Sequence, residues 1–362
     1  MKVCVYAICK NEAQFARRWM ASMSEADEVY VLDTGSDDGT PKLLRSLGAH
    51  VTEEVIEPWR FDVARNRSLD LVPPDTDICV CTDLDELFRP GWRVRLEATW
   101  TPEAGQATFR YTWNFQPDGS EGIVFWPEKI HRRKGYRWTH PVHEVLEWSE
   151  DGNPGPTVSA VGVQLDHYPD PNKSRAQYLS LLELSVKEDP DDDRNMHYLG
   201  REYLFRGRWD DCIETLKRHL EMPRATWADE RAASMRYIAK AWAEKGEAEE
   251  AWNWYLKAIA EAPHLREPYV DLAMLLYQQE QWDGVLYFTG CALEIAARPQ
   301  TYISEAAAWG SLPYDIRSIA LHQTGRITEA LTAAKQALAL EPSNERLHGN
   351  VAILEAMLKK GE

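Results

Sequence analysis

The chain has 362 residues, of which 44% are hydrophobic and 27% charged, and its formal net charge is −17 at pH 7. This length is enough for two or more domains, and the negative charge argues against nucleic acid as a partner, since phosphate binding needs a basic surface. No apolar run reaches about 18 residues, so no membrane span is predicted. The six cysteines show no C-x-x-C spacing, which indicates reduced thiols in a cytoplasmic protein rather than a cysteine-based zinc site.

The first part of the chain alternates short apolar runs with amphipathic stretches. The runs predict strands at 3–9, 29–32, 49–55 and 78–81, and the stretches predict helices near 12–24, 38–48 and 62–72. Apolar strands separated by helices are typical of a mostly parallel sheet that is covered on both faces. Two later runs, 106–115 and 122–132, predict an antiparallel hairpin around the turn QPDGSE.

The last part of the chain is helical and repetitive. Four short turns between helix-like stretches align so that Gly207, Gly246, Glu280 and Gly325 fall in register, at spacings of 39, 34 and 45 residues. Paired helices with a glycine turn and a period near 34 residues resemble tetratricopeptide (TPR) repeats. Glu280 departs from the expected glycine.

These patterns divide the chain into three segments. They predict an α/β domain over 1–168, a linker helix within 169–193, and an all-helical repeat solenoid over 194–362 that ends in a capping helix at 344–360. The linker helix is bracketed by the proline-rich stretches YPDPNKSR (168–175) and KEDPDDDR (187–194).

Polar residues follow three of the predicted strands. The first strand is followed by KNE (10–12), the second by DTGSDDGT (33–40) and the fourth by TDLDE (82–86). Each motif alone has an ordinary structural explanation, because SDDGT is a good turn and helix cap and DLDE suits a solvated loop. The carboxyl ends of parallel strands form one ligand crevice, however, so the clustering predicts a site there.

Asp83 and Asp85 suggest what that site binds. In extended backbone, residues two apart point to the same side, and neighbouring carboxylates repel each other unless a cation lies between them. A divalent ion such as Mn²⁺ or Mg²⁺ accepts oxygen ligands of this kind. Such an ion also bridges a diphosphate and stabilises its charge as it leaves a sugar.

Four motifs follow one another in an order that resembles the family-2 glycosyltransferases of the GT-A fold: AICKNEAQF, ADEVYVLDTGSDDGT, FDVARNRSLDL and CTDLDELF, with the D-x-D element at Asp83-Leu84-Asp85. The later segments EKIHRR, THPVHEVLEW and LDHYPD, followed by the repeats, resemble the branch that is fused to TPR repeats and includes bacterial peptide glycosyltransferases. The resemblance implies a Rossmann-like GT-A domain followed by the all-helical solenoid, and an inverting transfer from a nucleotide-sugar donor, most simply a UDP-sugar.

The resemblance also implies roles for particular residues. Asp33 contacts the nucleotide base, Arg65 contacts the nucleotide or diphosphate, Asp85 binds the metal directly, and Asp83 holds the ribose or the water shell of the metal. Asn11, Glu12 and Leu84 complete the expected donor site.

The catalytic base is less clearly marked, because the acidic pair that the family usually carries late in the domain is not visible. HPVHE (140–144) stands in roughly its place, so Glu144 is the candidate base and His143 the candidate third metal ligand. Alternatively, His140, His143 and His167 are ordinary half-buried histidines. Asp166 and His167 are the next candidates for the base.

The sugar-binding surface, the acceptor and the alternative functions are inferred from other features of the sequence. Trp113, Trp126 or Trp138 could offer a sugar an apolar face. The repeats predict a peptide or protein acceptor, or alternatively a homodimer interface. A surface-polysaccharide or modified-nucleic-acid glycosyltransferase and a non-catalytic repeat scaffold remain alternatives. A nucleotidyltransferase lacks support because no glycine-rich loop follows the first strand, and a dehalogenase-like phosphatase would place its aspartates after the first strand.

Overall fold

The computed structural model describes residues 1–116, 119–170 and 176–361. It divides into two compact units, Met1–Ser185 and Val186–Glu362. Part of the predicted turn QPDGSE and part of the predicted joint at 168–175 lie outside the described residues.

The N-terminal unit contains eleven strands and five helices among its described residues. The strands are β1 (Val3–Cys9), β2 (Glu28–Asp33), β3 (His50–Glu53), β4 (Ile78–Cys81), β5 (Glu86–Phe88), β6 (Gln106–Thr112), β7 (Val124–Phe125), β8 (Ile130–Arg132), β9 (Tyr136–Thr139), β10 (Val145–Trp148) and β11 (Thr157–His167). The helices are α1 (Ala13–Ser22), α2 (Thr40–Ser46), α3 (Phe61–Asp70), α4 (Trp92–Thr99) and α5 (Tyr178–Glu188), whose last turn crosses into the second unit.

Nine of these strands form one sheet in the order β3-β2-β1-β4-β8-β6-β11-β5, with β7 paired to β6. The strands β3, β2, β1 and β4 are parallel. Every residue of β1 and of β4 is buried, as expected for inner strands of a sheet with apolar contacts on both faces. The edge strand β3 is mostly exposed.

The sheet is mixed, which corrects the prediction of a mostly parallel sheet with one late hairpin. Strand β8 lies between β4 and β6 and is antiparallel to both, and β5 is antiparallel to β11. The predicted second hairpin strand, 122–132, is two separate strands, β7 and β8. Pro127 lies between them and cannot donate a hydrogen bond to a strand ladder. The short β5 and the 11-residue β11 were not predicted.

One face of the sheet is covered by α1 and α4 through large aromatic side chains. Trp19 and Trp92 are fully buried in the same core as β1, β4 and β11. The indole Nε1 of Trp19 donates to the Thr82 hydroxyl over 3.1 Å, which ties α1 to the loop that follows β4. This contact fixes the start of the loop that carries the D-x-D element.

The C-terminal unit is helical, as predicted. Its helices beyond α5 are α6 (Asp193–Phe205), α7 (Trp209–Glu221), α8 (Ala228–Glu244), α9 (Ala248–Glu261), α10 (Glu267–Gln278), α11 (Trp282–Glu294), α12 (Ala306–Trp309), α13 (Leu312–Gln323), α14 (Ile327–Leu340) and α15 (Glu345–Gly361). Successive long helices pack against each other along the chain. This TPR-like solenoid of helix pairs confirms the predicted repeats.

The turns inside the four helix pairs share one backbone conformation. Gly207, Gly246 and Gly325 have φ values of 70°, 82° and 78°, and Glu280 has a φ of 56°. All four lie in the left-handed region, which glycine adopts without strain and other residues adopt at a cost. The alignment that placed Glu280 at a glycine position is therefore correct.

Two further predictions concern the whole chain. All six cysteines are free thiols, and five of them are buried. Among the described residues, no helix is both long enough and apolar enough to cross a bilayer.

Candidate functional site

The ends of β1 and β2 form a tight polar turn around Asp33. Its carboxylate accepts hydrogen bonds from the backbone N–H groups of Gly35 and Ser36 over 3.0 and 2.8 Å, and from the Ser36 hydroxyl over 2.5 Å. The side chain of Asn11 accepts from the backbone N–H of Asp37 over 2.8 Å. Asp33 is almost fully buried, so it organises this loop and presents little of its own surface.

Glu12 and Leu84 are two other residues that were predicted for the donor site. Glu12 is buried, and its backbone N–H donates to the Thr40 hydroxyl over 2.9 Å, which links the starts of α1 and α2. Leu84 is fully buried and its side chain packs into the hydrophobic core. The side chain of Leu84 therefore anchors the D-x-D loop to the core and does not face a ligand.

A group of charged side chains lies beyond the end of β4, and we call it the charge cluster: Arg65, Asp83, Glu86, Lys129 and Glu144. The guanidinium of Arg65 binds both oxygens of Asp83, with its two terminal nitrogens at 3.1 Å each. Its Nε also donates to Glu144. This bidentate pairing fixes the orientation of the guanidinium plane.

Lys129 supplies the second cation of the cluster. Its ammonium donates to Glu86 over 2.8 Å and lies 3.7 Å from Asp83. Glu86 is almost completely buried and also accepts from the Tyr111 hydroxyl over 2.7 Å. Lys129 directly precedes β8, and Tyr111 lies in β6. These two strands thus bring side chains from distant parts of the chain to the D-x-D loop.

Burial and charge have opposing effects on the two cations. Burial by itself lowers the pKa of Arg65, but the carboxylates of Asp83 and Glu144 outweigh this and hold its pKa well above the ordinary value. Burial likewise lowers the pKa of Lys129, and the carboxylates of Glu86 and Asp83 raise it above the ordinary value. Both side chains are therefore cations at neutral pH.

Asp83 is the most exposed member of the cluster, with 29% of its side chain accessible. The side chain of Arg65 is 6% accessible and that of Lys129 is 22% accessible. A ligand that approaches from solvent therefore meets Asp83 first.

Asp85 is paired with His167. Its carboxylate lies 3.3 Å from the His167 Nε2, and the other ring nitrogen of His167 lies 2.8 Å from the carbonyl oxygen of Trp113. Strand pairing explains this proximity, because β5 is antiparallel to β11 and the Tyr168 backbone N–H donates to the Asp85 carbonyl over 2.8 Å. Burial lowers the pKa of His167, but Asp85 outweighs this effect and the pKa is raised.

The Asp85–His167 pair fits a divalent metal ion. In its neutral form, a ring whose Nδ1–H donates to a backbone carbonyl presents the lone pair of Nε2, which is the usual arrangement of a metal-binding histidine. Here that nitrogen lies beside a carboxylate oxygen of the D-x-D element. The pair supplies two donor atoms of the types that Mn²⁺ and related ions accept, and Asp83 lies on the same loop.

His143, the predicted third metal ligand, lies in the loop between β9 and β10. It has a φ of 51°, precedes β10, and its ring makes an edge contact with Tyr178 at a centroid distance of 5.9 Å. His140, with a φ of 72°, lies in the same loop. The metal roles of Asp83, Asp85 and His143 stay predictions, and His167 is the histidine that the structure brings to Asp85.

Glu144 lies in the charge cluster, where its carboxylate accepts from Arg65. The role of catalytic base stays a prediction for this residue. Asp166, the other acidic candidate, forms a two-point ion pair with Arg89 at 2.8 and 3.2 Å. Each of these carboxylates thus has an arginine partner.

A buried chain of hydrogen bonds supports Arg65 from behind. The Trp138 ring lies 5.3 Å from the Arg65 guanidinium, and its indole Nε1 donates to the Tyr6 hydroxyl over 2.8 Å. That hydroxyl is also 2.8 Å from Nε2 of His131. Burial lowers the pKa of His131 to about 3, so His131 is neutral and its Nε2 accepts from Tyr6.

The three tryptophans considered as sugar platforms differ in exposure. Trp138 is 5% exposed and supports Arg65, so it is not available to a sugar. Trp113 and Trp126 are 37% and 41% exposed. The ring of Trp113 also contacts the His167 ring at a centroid distance of 4.6 Å, which puts an exposed aromatic surface beside the Asp85–His167 pair.

Lys129 and Glu86 belong to the charge cluster although the sequence pattern gave them no role in the site. Glu86 stood next to the D-x-D element and was not assigned a role. Lys129 lies in the segment EKIHRR, which was assigned only to a strand and a motif. The sequence does contain a signal for Lys129. The three carboxylates of TDLDE require cations nearby, and Lys129 immediately precedes an apolar strand.

The chain shows limited similarity to known proteins. No family model matches it. A TPR repeat-containing protein of Synechococcus elongatus is 24% identical over 304 residues, which cover 79% of this chain and 73% of the relative. The similarity agrees with the TPR-like repeats and does not assign the chain to a family.

Three solved structures with similarity to the chain each cover about half of it. Yeast Tom70 is 14% identical with a TM-score of 0.41, over 52% of this chain and 37% of Tom70. MamA protein is 19% identical with a TM-score of 0.36, over 46% of this chain and 83% of MamA. A TPR repeat-containing protein of Cytophaga hutchinsonii is 12% identical with a TM-score of 0.42, over 51% of this chain and 67% of that chain. The chain thus spans little more than a third of Tom70, and all three TM-scores are too low to assign a fold.

Proposed function

We propose that the N-terminal unit transfers a sugar from a nucleotide-sugar donor and has a GT-A fold. The observation that carries the proposal is the charge cluster beside the Asp85–His167 pair, at the carboxyl end of β4. The buried Arg65, the half-buried Lys129 and the two donor atoms of Asp85 and His167 are suited to stabilise a diphosphate, which is the leaving group in such a transfer. The parallel order β3-β2-β1-β4 and the motifs of the sequence support the same assignment.

Different residues of the chain bind the nucleotide-sugar donor and stabilise the charge of its diphosphate. The polar turn around Asp33 and Asn11 receives the nucleoside, and Arg65 with Lys129 stabilises the negative charge of the diphosphate as the sugar leaves. Asp85 and His167 would hold a divalent ion, Mn²⁺ or Mg²⁺. When bound, that ion supplies Lewis-acid stabilisation of the leaving diphosphate.

The remaining roles concern the sugar and its acceptor. Trp113 presents its exposed ring to the sugar. Glu144 holds the Arg65 guanidinium, and the role of catalytic base is the alternative for this residue. The acceptor is a peptide or protein, which suits the helical repeats of the C-terminal unit because stacked helix pairs offer an extended surface to chain-like ligands. The sugar donor is a UDP-sugar.

A second function, a non-catalytic repeat scaffold, is favoured by one observation. The curated relative is named only for its TPR repeats, and its similarity extends over most of this chain. On this alternative the N-terminal unit binds no nucleotide sugar, and the repeats bind other proteins or a second copy of the chain.

The decisive experiment measures nucleotide-sugar hydrolysis and UDP binding by the full chain, with Mn²⁺ or with EDTA. We expect slow release of UDP from one sugar donor in Mn²⁺, and loss of release in EDTA. Asp85→Asn and His167→Asn should each lower the rate by more than tenfold, because each removes a donor atom of the metal site. Asp75→Asn, at an exposed ion pair with Lys2, is the matched control and should leave the rate unchanged.

The result decides between the two functions. A wild-type chain that neither hydrolyses any nucleotide sugar nor binds UDP in a metal-dependent manner supports the scaffold and refutes the transferase. Full activity of Asp85→Asn, or full activity in EDTA, refutes the metal site while keeping the transferase.

A further inference from the structure

The helical unit contains a second group of potential metal ligands, which the proposed function does not use. Among the residues that the structure describes, Asp193, His219 and Glu230 place one ligand atom each within 4.8 Å of one another. Asp193 begins α6, His219 lies in the last turn of α7, and Glu230 lies in the first turn of α8. The group therefore joins three helix ends.

His219 directs a buried nitrogen into this group. The side chain is fully buried, and its Nε2 has no hydrogen-bond partner in the described part of the chain. The nearest oxygen of Glu230 is 3.4 Å from that nitrogen. A buried polar atom without a hydrogen bond is uncommon in folded proteins and requires an explanation.

The other ring nitrogen of His219 is already bonded. Its Nδ1 lies 3.0 Å from the Ser234 hydroxyl, which lies 2.7 Å from Nδ1 of His197. In the tautomer whose Nδ1 donates to Ser234, the lone pair of the His219 Nε2 is directed at the cluster.

Glu230 is oriented in a similar way. It is 4% exposed, and one of its carboxylate oxygens accepts from the Tyr302 hydroxyl. The other oxygen is the one that faces His219. Ligands whose remaining atoms are held by neighbouring groups are typical of metal sites, since those neighbours fix the direction of the ligand atoms.

We propose that Asp193, His219 and Glu230 bind a divalent transition-metal ion, of which Zn²⁺ is the representative. Zinc bonds of about 2.1 Å in tetrahedral geometry place ligand atoms about 3.4 Å apart, which is the separation of the His219 nitrogen and the Glu230 oxygen. The imidazole nitrogen favours Zn²⁺ over Mg²⁺ or Ca²⁺, which prefer oxygen ligands. The two carboxylates neutralise the ion, and water completes the fourth position.

The alternative is a simple ion pair between protonated His219 and Glu230, with Asp193 interacting with the start of α6. This alternative predicts no metal binding. The two interpretations therefore differ in a quantity that can be measured directly.

The test is equilibrium dialysis of the full chain against Zn²⁺, followed by metal analysis of the protein. All variants carry Asp85→Asn, which removes the metal site proposed in the N-terminal unit and keeps the two proposals separable. We expect one Zn²⁺ per chain, and at least tenfold weaker binding after Glu230→Gln or Asp193→Asn. These two substitutions preserve side-chain shape, so they avoid the risk that His219→Ala fails to fold.

The unit offers a matched control in a second histidine–carboxylate pair. His264 lies 2.8 Å from Asp229 but is 56% exposed and lies outside the three-ligand group. His264→Asn should bind Zn²⁺ as tightly as the parent. The proposal is overturned if the parent binds no Zn²⁺, or if Glu230→Gln and Asp193→Asn bind it as tightly as His264→Asn.

Discussion

Arg65 is the residue on which the candidate site depends most. Its guanidinium binds Asp83 with two nitrogens and Glu144 with the third, and it rests on the ring of Trp138. Asp83 and Glu144 compensate the burial of this cation, since an unpaired buried charge is strongly destabilising. The arginine is therefore fixed before any ligand arrives, which is favourable for a group that stabilises charge during a reaction.

The role of Glu144 can be tested by Glu144→Gln. If Glu144 mainly holds Arg65, we expect the KM for the nucleotide sugar to rise about tenfold or more, because a hydrogen bond to a charged group contributes about 1.5–3 kcal/mol. The measurement is steady-state kinetics with varied donor, together with UDP binding. Asp70→Asn is a suitable control, because Asp70 also pairs with an arginine, Arg137, at an exposed position away from the cluster.

The opposite kinetic pattern would identify Glu144 as the base. A fall of kcat by orders of magnitude with an unchanged donor KM indicates an interaction that acts only in the transition state. That outcome would contradict the holding role and support the original prediction from the HPVHE motif.

The sequence allowed part of this site to be predicted at the residue scale. Asp83 and Asp85 were identified because their motif directly follows a buried strand, and Arg65 was identified through the resemblance of its motif to the glycosyltransferase family. Lys129 was assigned no role and His167 was only a further candidate for the base, because placing them beside Asp83 and Asp85 requires the pairing of β8 with β4 and of β5 with β11, which join residues far apart in the chain. Local sequence patterns carry no information on such long-range pairings.

At the scale of elements, burial explains which strands could be predicted. The strands β1 and β4 are uninterrupted apolar runs, and they were found at the correct positions. By contrast β5 has three residues, too few to show a period, and β11 contains a register shift between Ser159 and Gln164. Such an irregularity disrupts the alternation by which a strand is recognised.

The helix-pair turns offer a stability test. We expect Glu280→Gly to raise the free energy of unfolding by about 1 kcal/mol, because it relieves a left-handed conformation at a non-glycine residue. Glu280 is exposed, so the substitution removes little packing. Chemical denaturation of the full chain, followed by circular dichroism, measures the change.

Gly246 provides the reciprocal control. It has a φ of 82°, and a Cβ built there meets no atom within 4 Å. Gly246→Ala should therefore lower the free energy of unfolding by about 1 kcal/mol through backbone strain alone. If Glu280→Gly destabilises the chain, the turn is held by contacts of the Glu280 side chain, and the strain argument fails.

At the scale of the whole molecule, the chain consists of two units with different proposed tasks. Each unit has its own hydrophobic cores, built around the sheet in one and between helix pairs in the other. The division falls inside α5, after Ser185. The sequence shows that the first half alternates apolar runs with amphipathic stretches and that the second half is helical and repetitive. The residue at which the two units divide depends instead on the contacts between residues in the folded chain.

A truncation tests whether the repeats receive the acceptor. The chain should be cut after Glu188 so that α5 stays whole. We expect the remaining N-terminal unit to bind UDP and hydrolyse the donor at a rate near that of the full chain. We also expect it to lose more than tenfold in transfer to a protein acceptor, measured by mass spectrometry, because the extended helical surface is absent.

The control for this truncation is its folding, measured by circular dichroism and by retained UDP binding. If the folded N-terminal unit modifies the acceptor as fast as the full chain does, the repeats do not receive the acceptor. Their role would then be association between copies of the chain or stability.

The edge strand β3 has a consequence for how the protein behaves at high concentration. An open edge exposes hydrogen-bonding groups to strands of other molecules and promotes aggregation. Here His50, Thr52 and Glu53 are exposed, and Arg45 donates to the Val51 carbonyl over 3.0 Å and to Glu53 over 2.7 Å. The strand β3 has only four residues, carries charge and has one carbonyl already bonded, so it is a poor template for a second sheet. We therefore expect the N-terminal unit to remain dispersed even though its sheet is open at this side.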